Sequence, residues 1–289
     1  MKPAWPIGTP LIVGLVLLAF AGNSVLTRAG VGGGQMGAMP FAALRLASGA
    51  GALALMVLWR DGRFAFGGVG RLNGVLSLIL YLIGFSAAYV SLDSGVGALI
   101  LFGGVQVVMF TGALIARETV PPARWLGAAL ALGGLAWLLW PAGTAAPSLW
   151  HAALMAAAAL GWGLYSLIGR QSGDPLAATA ANFVLATPPI VAVMLLWPSE
   201  TTSAPITAAG VALAIASGVV ASGLGYALWY TVLPRLAAAS AALLQLTVPV
   251  LAALGGMVFL AEPLTARFVI AALLVLGGVA LGVLGARRG

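Results

Sequence analysis

The sequence contains no cysteine, one histidine and only six acidic residues in a chain of 289 residues. Without cysteine, the chain can form neither disulfides nor thiolate metal sites. The histidine, His151, begins an apolar segment, and every Asp and Glu falls at the end of such a segment or between two of them. Because an enzyme would need a nucleophile–base pair or a cluster of metal ligands, we expect no catalytic residue, no metal and no cofactor.

Charge of either sign is scarce, whereas apolar residues are abundant. Charged residues make up 7% of the chain and hydrophobic residues 62%, against about 25% charged residues in a soluble globular protein. Apolar runs of about 20 residues recur from end to end, which is the length that spans a bilayer. The sequence therefore predicts an all-α integral membrane protein with ten transmembrane helices, at 8–28, 38–59, 73–91, 95–116, 122–140, 148–169, 176–197, 207–233, 237–260 and 264–286.

The net charge of +7 is scattered over the ends of these helices, so it predicts a topology rather than a nucleic-acid partner. With the N-terminus in the cytoplasm, the inner side receives Lys2, Arg60, Arg63, Arg71, Arg117, Arg124, Arg170, Arg235, Arg287 and Arg288. The outer side receives Arg267, with Arg28 near it and Arg45 embedded in helix 2. The positive-inside rule then places both termini in the cytoplasm, and we expect a multi-pass protein of the bacterial inner membrane.

The chain contains two related halves. A shift of 144 residues pairs Glu118 with Glu262 and the double glycine 133–134 with the double glycine 277–278. A shift of 142 residues relates helix 1 to helix 6, with Phe20, Asn23, Ser24 and Arg28 on Trp162, Tyr165, Ser166 and Arg170. We therefore predict one five-helix repeat over residues 1–143 and a second over 144–289.

An odd number of helices in each repeat means that the second repeat enters the membrane from the opposite side. The two repeats are then inverted relative to each other, with Glu118 on the inner side and Glu262 on the outer side. Inverted repeats are typical of transporters, because two similar halves can exchange conformations and open a central site to each side in turn.

The sequence resembles the drug/metabolite transporter superfamily, in its ten-helix branch with two EamA-type repeats. The resemblance covers nearly the whole chain and is carried by the helix-1 segment 20–24, by Pro40-Phe41 with Arg45, and by the two hairpins 117–134 and 261–278. It implies a central, largely hydrophobic cavity lined by helices 1–4 and 6–9, with helices 5 and 10 peripheral. The family's midway proline is present in helix 9 as Pro249 but is replaced in helix 4 by Val105.

Arg45 is the strongest single candidate for a substrate contact. It lies about seven residues inside helix 2, roughly 10 Å deep at 1.5 Å per residue. A charge at such a depth costs about 2.5–3.5 kcal/mol and usually faces a cavity or a partner. Arg45 could attract a substrate carboxylate, or it could snorkel outward or tie helices together through backbone carbonyls.

Several deep polar and aromatic residues complete the predicted substrate site, which comprises Asn23, Arg45, Tyr81, Gln106, Trp162, Tyr165 and Gln245. Buried amides such as Gln106 and Gln245 either bridge helices or face the cavity. Tyr81, Trp162 and Tyr165 lie too deep for the interfacial aromatic belt and could bind apolar groups or an ammonium. Asn23 could instead bond its own helix backbone.

Within the superfamily, the chain is most similar to the YddG-type exporters of amino acids, aromatic ones included. The resemblance implies export of amino acids and related metabolites by alternating access. No carboxylate lies in mid-membrane to relay protons, so we expect facilitated transport. The alternatives are a broad-specificity drug or metabolite exporter with proton coupling, a channel, or an intramembrane enzyme. The expected partners are the small-molecule substrate and the lipid bilayer, whereas the oligomeric state is left open.

Overall fold

The computed structural model describes residues 8–68, 70–115, 117, 121–140, 147–169, 172–196, 204–232 and 244–285. Within them the chain is helical and contains no strand. The helices are α1 (Gly8–Thr27), α2 (Ala38–Asp61), α3 (Arg71–Ala88), α4 (Ser94–Ile115), α5 (Pro122–Leu139), α6 (Leu149–Gly169), α7 (Pro175–Leu196), α8 (Ala208–Ala216, Ser217–Leu224 and Gly225–Val232), α9 (Val248–Leu260) and α10 (Ala266–Gly285).

The ten helices confirm the predicted all-α membrane fold. Eight of them are long and apolar enough to cross a bilayer, and the other two, Val248–Leu260 and Ala266–Gly282, are shorter apolar helices. Large apolar side chains such as Trp59, Ile115 and Leu273 are exposed on the outside of the bundle. In a protein of this composition, lipid rather than water is the solvent that suits such a surface.

Two departures from the predicted helices bear on the site. The middle of α8, Ser217–Leu224, is a π-helix, as are the five residues Arg28–Gly32 that follow α1. In the second half, Pro249 lies in the first turn of α9 and not midway along it. Because proline has no backbone N–H, it fits the first turn of a helix. Gln245 is helical and is separated from α9 by a turn at Leu246 and Thr247, whereas the predicted beginning of this helix at residue 237 lies outside the described residues.

The contacts between helices are the same in both halves of the chain. When each helix is replaced by its counterpart five places away in the chain, each of the main helix pairs becomes another observed pair or itself. Three pairs map onto themselves, namely α5 with α10, α2 with α7, and α4 with α9. The α3–α6 pair maps onto α8–α1, and α4–α6 maps onto α9–α1. This packing is the one that two five-helix repeats with a pseudo-two-fold axis would give. The repeat boundary at 143/144 lies outside the described residues and stays a prediction.

Close contacts between helices are made at glycine. A Cβ atom on Gly218 of the π-helix would lie 2.2 Å from the carbonyl oxygen of Arg45 and 2.1 Å from Ser48 Oγ. In α5, a Cβ atom on Gly127 would lie 2.4 Å from the carbonyl oxygen of Gly278 in α10. Small residues allow backbones to approach this closely in a membrane. Gly218 thereby brings the π-helix directly against α2 at Arg45.

Candidate functional site

A small cavity lies at the centre of the bundle, between helices of both halves. Its volume is about 20 Å³, which is room for roughly one water molecule. It is lined by Phe20, Asn23, Ser24, Tyr81, Phe85, Leu101, Phe102, Trp162, Ala221 and Tyr226. Ligand pockets usually measure about 300–1,000 Å³, so this cavity is too small to hold a substrate of that size.

Arg45 lies behind this lining and is fully buried, with 0% exposure. Its Nη2 donates to Tyr81 Oη at 3.0 Å and its Nε donates to Ser222 Oγ of the π-helix at 3.4 Å. The guanidinium carbon lies 4.9 Å from the ring centre of Phe85 and 5.4 Å from that of Tyr81. Nη1 has no partner among the residues that the structure describes. Arg45 therefore does not snorkel outward, and it contacts side chains of α3 and α8.

Asn23 of α1 is hydrogen-bonded to the same two helices, α3 and α8. Its Nδ2 donates to Tyr81 Oη at 3.3 Å, and its Oδ1 accepts a hydrogen bond of 2.6 Å from Ser217 Oγ. The hydroxyl oxygen of Tyr81 thus accepts from both Asn23 and Arg45. Four helices, α1, α2, α3 and α8, meet at the side chains of Asn23, Arg45, Tyr81 and Ser217.

Aromatic rings form the other side of the cavity. Tyr81 lies 5.0 Å from Trp162 between ring centres. Trp162 is stacked with Tyr226 at 5.3 Å and with Tyr165 at 5.7 Å. Tyr165 does not line the cavity; its hydroxyl accepts a hydrogen bond of 3.3 Å from Asn182 Nδ2 in α7. The rings give the centre an apolar wall that can accept a flat hydrophobic group.

The structure brings most of the predicted site residues together. Asn23, Tyr81 and Trp162 line the cavity, and Arg45 and Tyr165 contact that lining. Gln106 and Gln245 are half-buried and lie outside it. The substrate-binding role of each of these seven residues stays a prediction.

Sequence reasoning missed the two serines of the π-helix, Ser217 and Ser222, and the cation–π partner Phe85. The serines gave no signal, because a serine in an apolar helix commonly bonds its own backbone. A π-helix is a frequent mark of a functional site, but the hydropathy of α8 does not distinguish it from an α-helix.

Charged side chains close the bundle at one end, which we call the Glu262 end, where α1, α3 and α9 finish. The carboxylate of Glu262 accepts from the backbone N–H of Ser94 at 2.8 Å and from Arg28 Nε at 3.3 Å. Arg28 also donates to the carbonyl oxygen of Val90 at 3.0 Å and lies 3.6 Å from the carboxylate of Asp93. Burial raises the pKa of the Glu262 carboxyl, although Ser94 and Arg28 act to lower it.

A wider vestibule lies beside this cluster at the Glu262 end. Its volume is about 420 Å³, and Asp93, Ser148, Glu262 and Arg267 are among its lining residues. Elsewhere among the described residues, no group of three or more His, Asp or Glu side chains is arranged to hold a metal ion.

The opposite end, which we call the Arg71 end, is closed differently. Arg71 at the start of α3 donates to two acceptors on α7, the Oδ1 of Asn182 and the carbonyl oxygen of Ala178, each at 2.7 Å. Nearer to solvent, Arg60 of α2 forms an ion pair with Asp174 before α7. The Arg71 end therefore relies on neutral acceptors inside and on an exposed ion pair outside.

Comparisons with known proteins agree with this architecture. Residues 149–284, which contain α6–α10, match the EamA-like transporter family. A Pseudomonas aeruginosa protein described as uncharacterized is 47% identical over 273 residues, covering 94% of this chain and 93% of that protein. A solved crystal structure with 20% identity superposes with a TM-score of 0.67 and covers 98% of this chain and 99% of the other. At this level of identity, the likeness shows a shared fold and nothing more.

Proposed function

We propose that the chain is a transporter of the EamA-like type, whose family model matches residues 149–284, and that it exports amino acids, including aromatic and apolar ones, and related metabolites. The single observation that carries the proposal is Arg45, a fully buried cation with an unpartnered Nη1 beside an aromatic wall. A buried charge is costly unless it is paired. A substrate carboxylate at Nη1 would pair it, while the substrate side chain lies against the rings.

The packing of the halves supports alternating access as the mechanism. The central cavity has lining residues from both halves, and side-chain hydrogen bonds join the helices at the Glu262 end and at the Arg71 end. Opening one end at a time would enlarge the centre enough to admit an amino acid. We place the Arg71 end in the cytoplasm of a bacterial cell, with the Glu262 end facing out, because Arg60, Arg63, Arg71 and Arg124 all lie at the Arg71 end.

We propose that transport needs no obligatory proton antiport. The described acidic residues Asp61, Asp93, Asp174 and Glu262 lie at the two ends of the bundle, and Glu118 and Glu200 lie outside the described residues. Because none of the described acids lies beside the centre, the described residues provide no relay to carry a proton past the substrate. A proton-coupled drug exporter would need such a relay.

The test is counterflow of radiolabelled phenylalanine in proteoliposomes without a pH gradient. We expect the wild-type protein to carry phenylalanine, and Arg45→Ala to slow it by about tenfold or more, as expected when a charge-assisted bond is lost. Carriage of phenylalanine methyl ester, which lacks the negative charge, should not fall in Arg45→Ala. Leu76→Ala, on the exposed face of α3, is the matched control.

Two results would contradict the proposal. Equal loss of phenylalanine and of its ester in Arg45→Ala would leave Arg45 a structural residue. Release of phenylalanine only after a pH gradient is imposed would overturn the uncoupled mechanism.

A further inference from the structure

The central site carries one full positive charge and, among the described residues, no negative charge to balance it. Arg45 is bonded only to hydroxyl oxygens and to ring faces. The four described carboxylates all lie at the ends of the bundle. A zwitterionic substrate would bring no net charge and would leave this excess in place.

Around Arg45, the free hydrogen-bonding groups of the described side chains are donors. Arg45 Nη1 has no acceptor. Tyr81 Oη accepts two hydrogen bonds, from Arg45 and Asn23, which uses both of its lone pairs and leaves its hydrogen to donate. The Oδ1 of Asn23, the one side-chain amide oxygen among the lining residues, already accepts from Ser217. A carboxylate beside Arg45 meets two donors, whereas an ammonium, which can only donate, could turn only to the neutral hydroxyls of Ser24 and Tyr226.

The ring faces nearest to Arg45 do not compensate for this. The faces of Tyr81 and Phe85 lie against the Arg45 guanidinium, so an ammonium there would face a like charge. Trp162 is stacked with both Tyr165 and Tyr226. An ammonium needs an open ring face for a cation–π contact.

We infer that the ammonium group of the substrate is dispensable, and that the central site binds aromatic monocarboxylates lacking an amine more tightly than it binds the corresponding amino acids. This inference rests on the proposed function, because both proposals assign the substrate carboxylate to Arg45. The substrate class is then an aromatic or apolar organic monoanion, with the amino acid as its weaker, neutral analogue.

Three solutes that share one phenylethyl skeleton test the inference: 3-phenylpropionate, phenylalanine and phenethylamine. Each competes with labelled phenylalanine for counterflow at neutral pH, with protein-free liposomes subtracted. We expect 3-phenylpropionate to inhibit at a concentration about tenfold below that of unlabelled phenylalanine, and phenethylamine to have no effect at a hundredfold excess. If phenylalanine is carried and 3-phenylpropionate competes no better than phenylalanine, the inference is wrong.

Two variants locate the effect at the proposed donors. Arg45→Gln should abolish the preference for 3-phenylpropionate and let phenethylamine compete. Should that variant fail to fold, Tyr81→Phe keeps the ring and removes only the hydroxyl, and it should weaken 3-phenylpropionate by about threefold to tenfold while leaving phenethylamine unchanged. An unchanged ranking in both variants would remove the centre as the origin of selectivity.

A binding measurement distinguishes failure of the proposed function from failure of this inference. If phenylalanine is not carried at all, calorimetric titration of purified protein with 3-phenylpropionate still decides the inference. Binding that Arg45→Gln abolishes would uphold an anion site in a protein with another substrate. No binding would overturn it.

Discussion

The two ends of the bundle are closed by different chemistry. At the Glu262 end, a partly buried carboxylate from the second half is bonded to Arg28 and to the N-terminus of α4 in the first half. At the Arg71 end, the inner contacts are from a guanidinium to an amide and a carbonyl, and the ion pair outside them is exposed. One closure therefore contains a partly buried ion pair, whereas the inner contacts of the other are made to neutral acceptors. This difference predicts which end is the more sensitive to substitution.

The absence of cysteine makes the comparison measurable. Ala221 lines the central cavity and is 2% exposed, so Ala221→Cys places a single thiol at the centre. Labelling with a membrane-impermeant maleimide, in right-side-out and in inverted vesicles, reports how often each end opens.

The largest effect is expected from Arg28→Met. The substitution leaves the Glu262 carboxylate without its cationic partner and removes the donors to the carbonyls of Tyr89 and Val90. Removing one partner of a buried pair costs about 3 kcal/mol, which corresponds to roughly a hundredfold more opening. Labelling of Ala221→Cys should rise from the Glu262 side alone. Arg63→Met, at an exposed arginine of the other end, is the control, and equal labelling in both would show that Arg28 does not close this end.

A smaller effect is expected from Asn182→Ala at the Arg71 end. Arg71 loses one acceptor but keeps the carbonyl of Ala178, so the cost is about 1 kcal/mol and labelling from the cytoplasmic side should rise by roughly fivefold. Asn73→Ala, at an exposed position of α3, should change nothing. A rise on the Glu262 side instead would contradict the assignment of the ends.

Acidification should reduce opening at the Glu262 end. Because burial raises the pKa of Glu262 in the closed state, the closed state binds the proton more tightly than an open, hydrated one. Closure is thus favoured fully below the ordinary carboxyl pKa, and this advantage is lost as pH rises through the raised pKa. Labelling from the Glu262 side should slow on acidification relative to Glu262→Gln, which corrects for thiol ionisation. Faster labelling at low pH would reverse the role given to Glu262.

The smallest effect is expected from Asp174→Asn, which removes the exposed ion pair with Arg60. Exposed pairs contribute between about 0 and 1 kcal/mol, and salt screens them. We expect less than a fivefold change in labelling, and none at high ionic strength. A change as large as that of Arg28→Met would mean that the two ends do not differ as proposed.

The helices were predictable from the sequence because their signal is length and apolarity. The predicted α2 at 38–59 and α7 at 176–197 differ from the observed Ala38–Asp61 and Pro175–Leu196 by no more than two residues at either end. The beginning of α9 was not predictable from hydropathy, because the residues before Pro249 are as apolar as those after it.

The site was predictable where a polar residue is unusual for its surroundings. Arg45, Asn23 and Tyr81 stand out in apolar helices, and the structure joins them through hydrogen bonds. The contribution of α8 was not predictable, because it depends on a change of helical geometry at Ser217–Leu224. That change rotates Ser217 and Ser222 onto Asn23 and Arg45, which no periodicity of 3.6 residues would indicate.

The glycine contact between α5 and α10 has a consequence for how the protein is made. During synthesis, α5 enters the membrane while α10 is still to be translated, since Gly127 and Gly278 are far apart in sequence. Until α10 arrives, the face of α5 that holds Gly127 and Gly134 has only lipid to contact. The first five helices are therefore an incomplete folding unit, which α10 completes when it is inserted. Removing α10 should expose the first half to membrane proteolysis, and supplying it as a separate chain should restore protection.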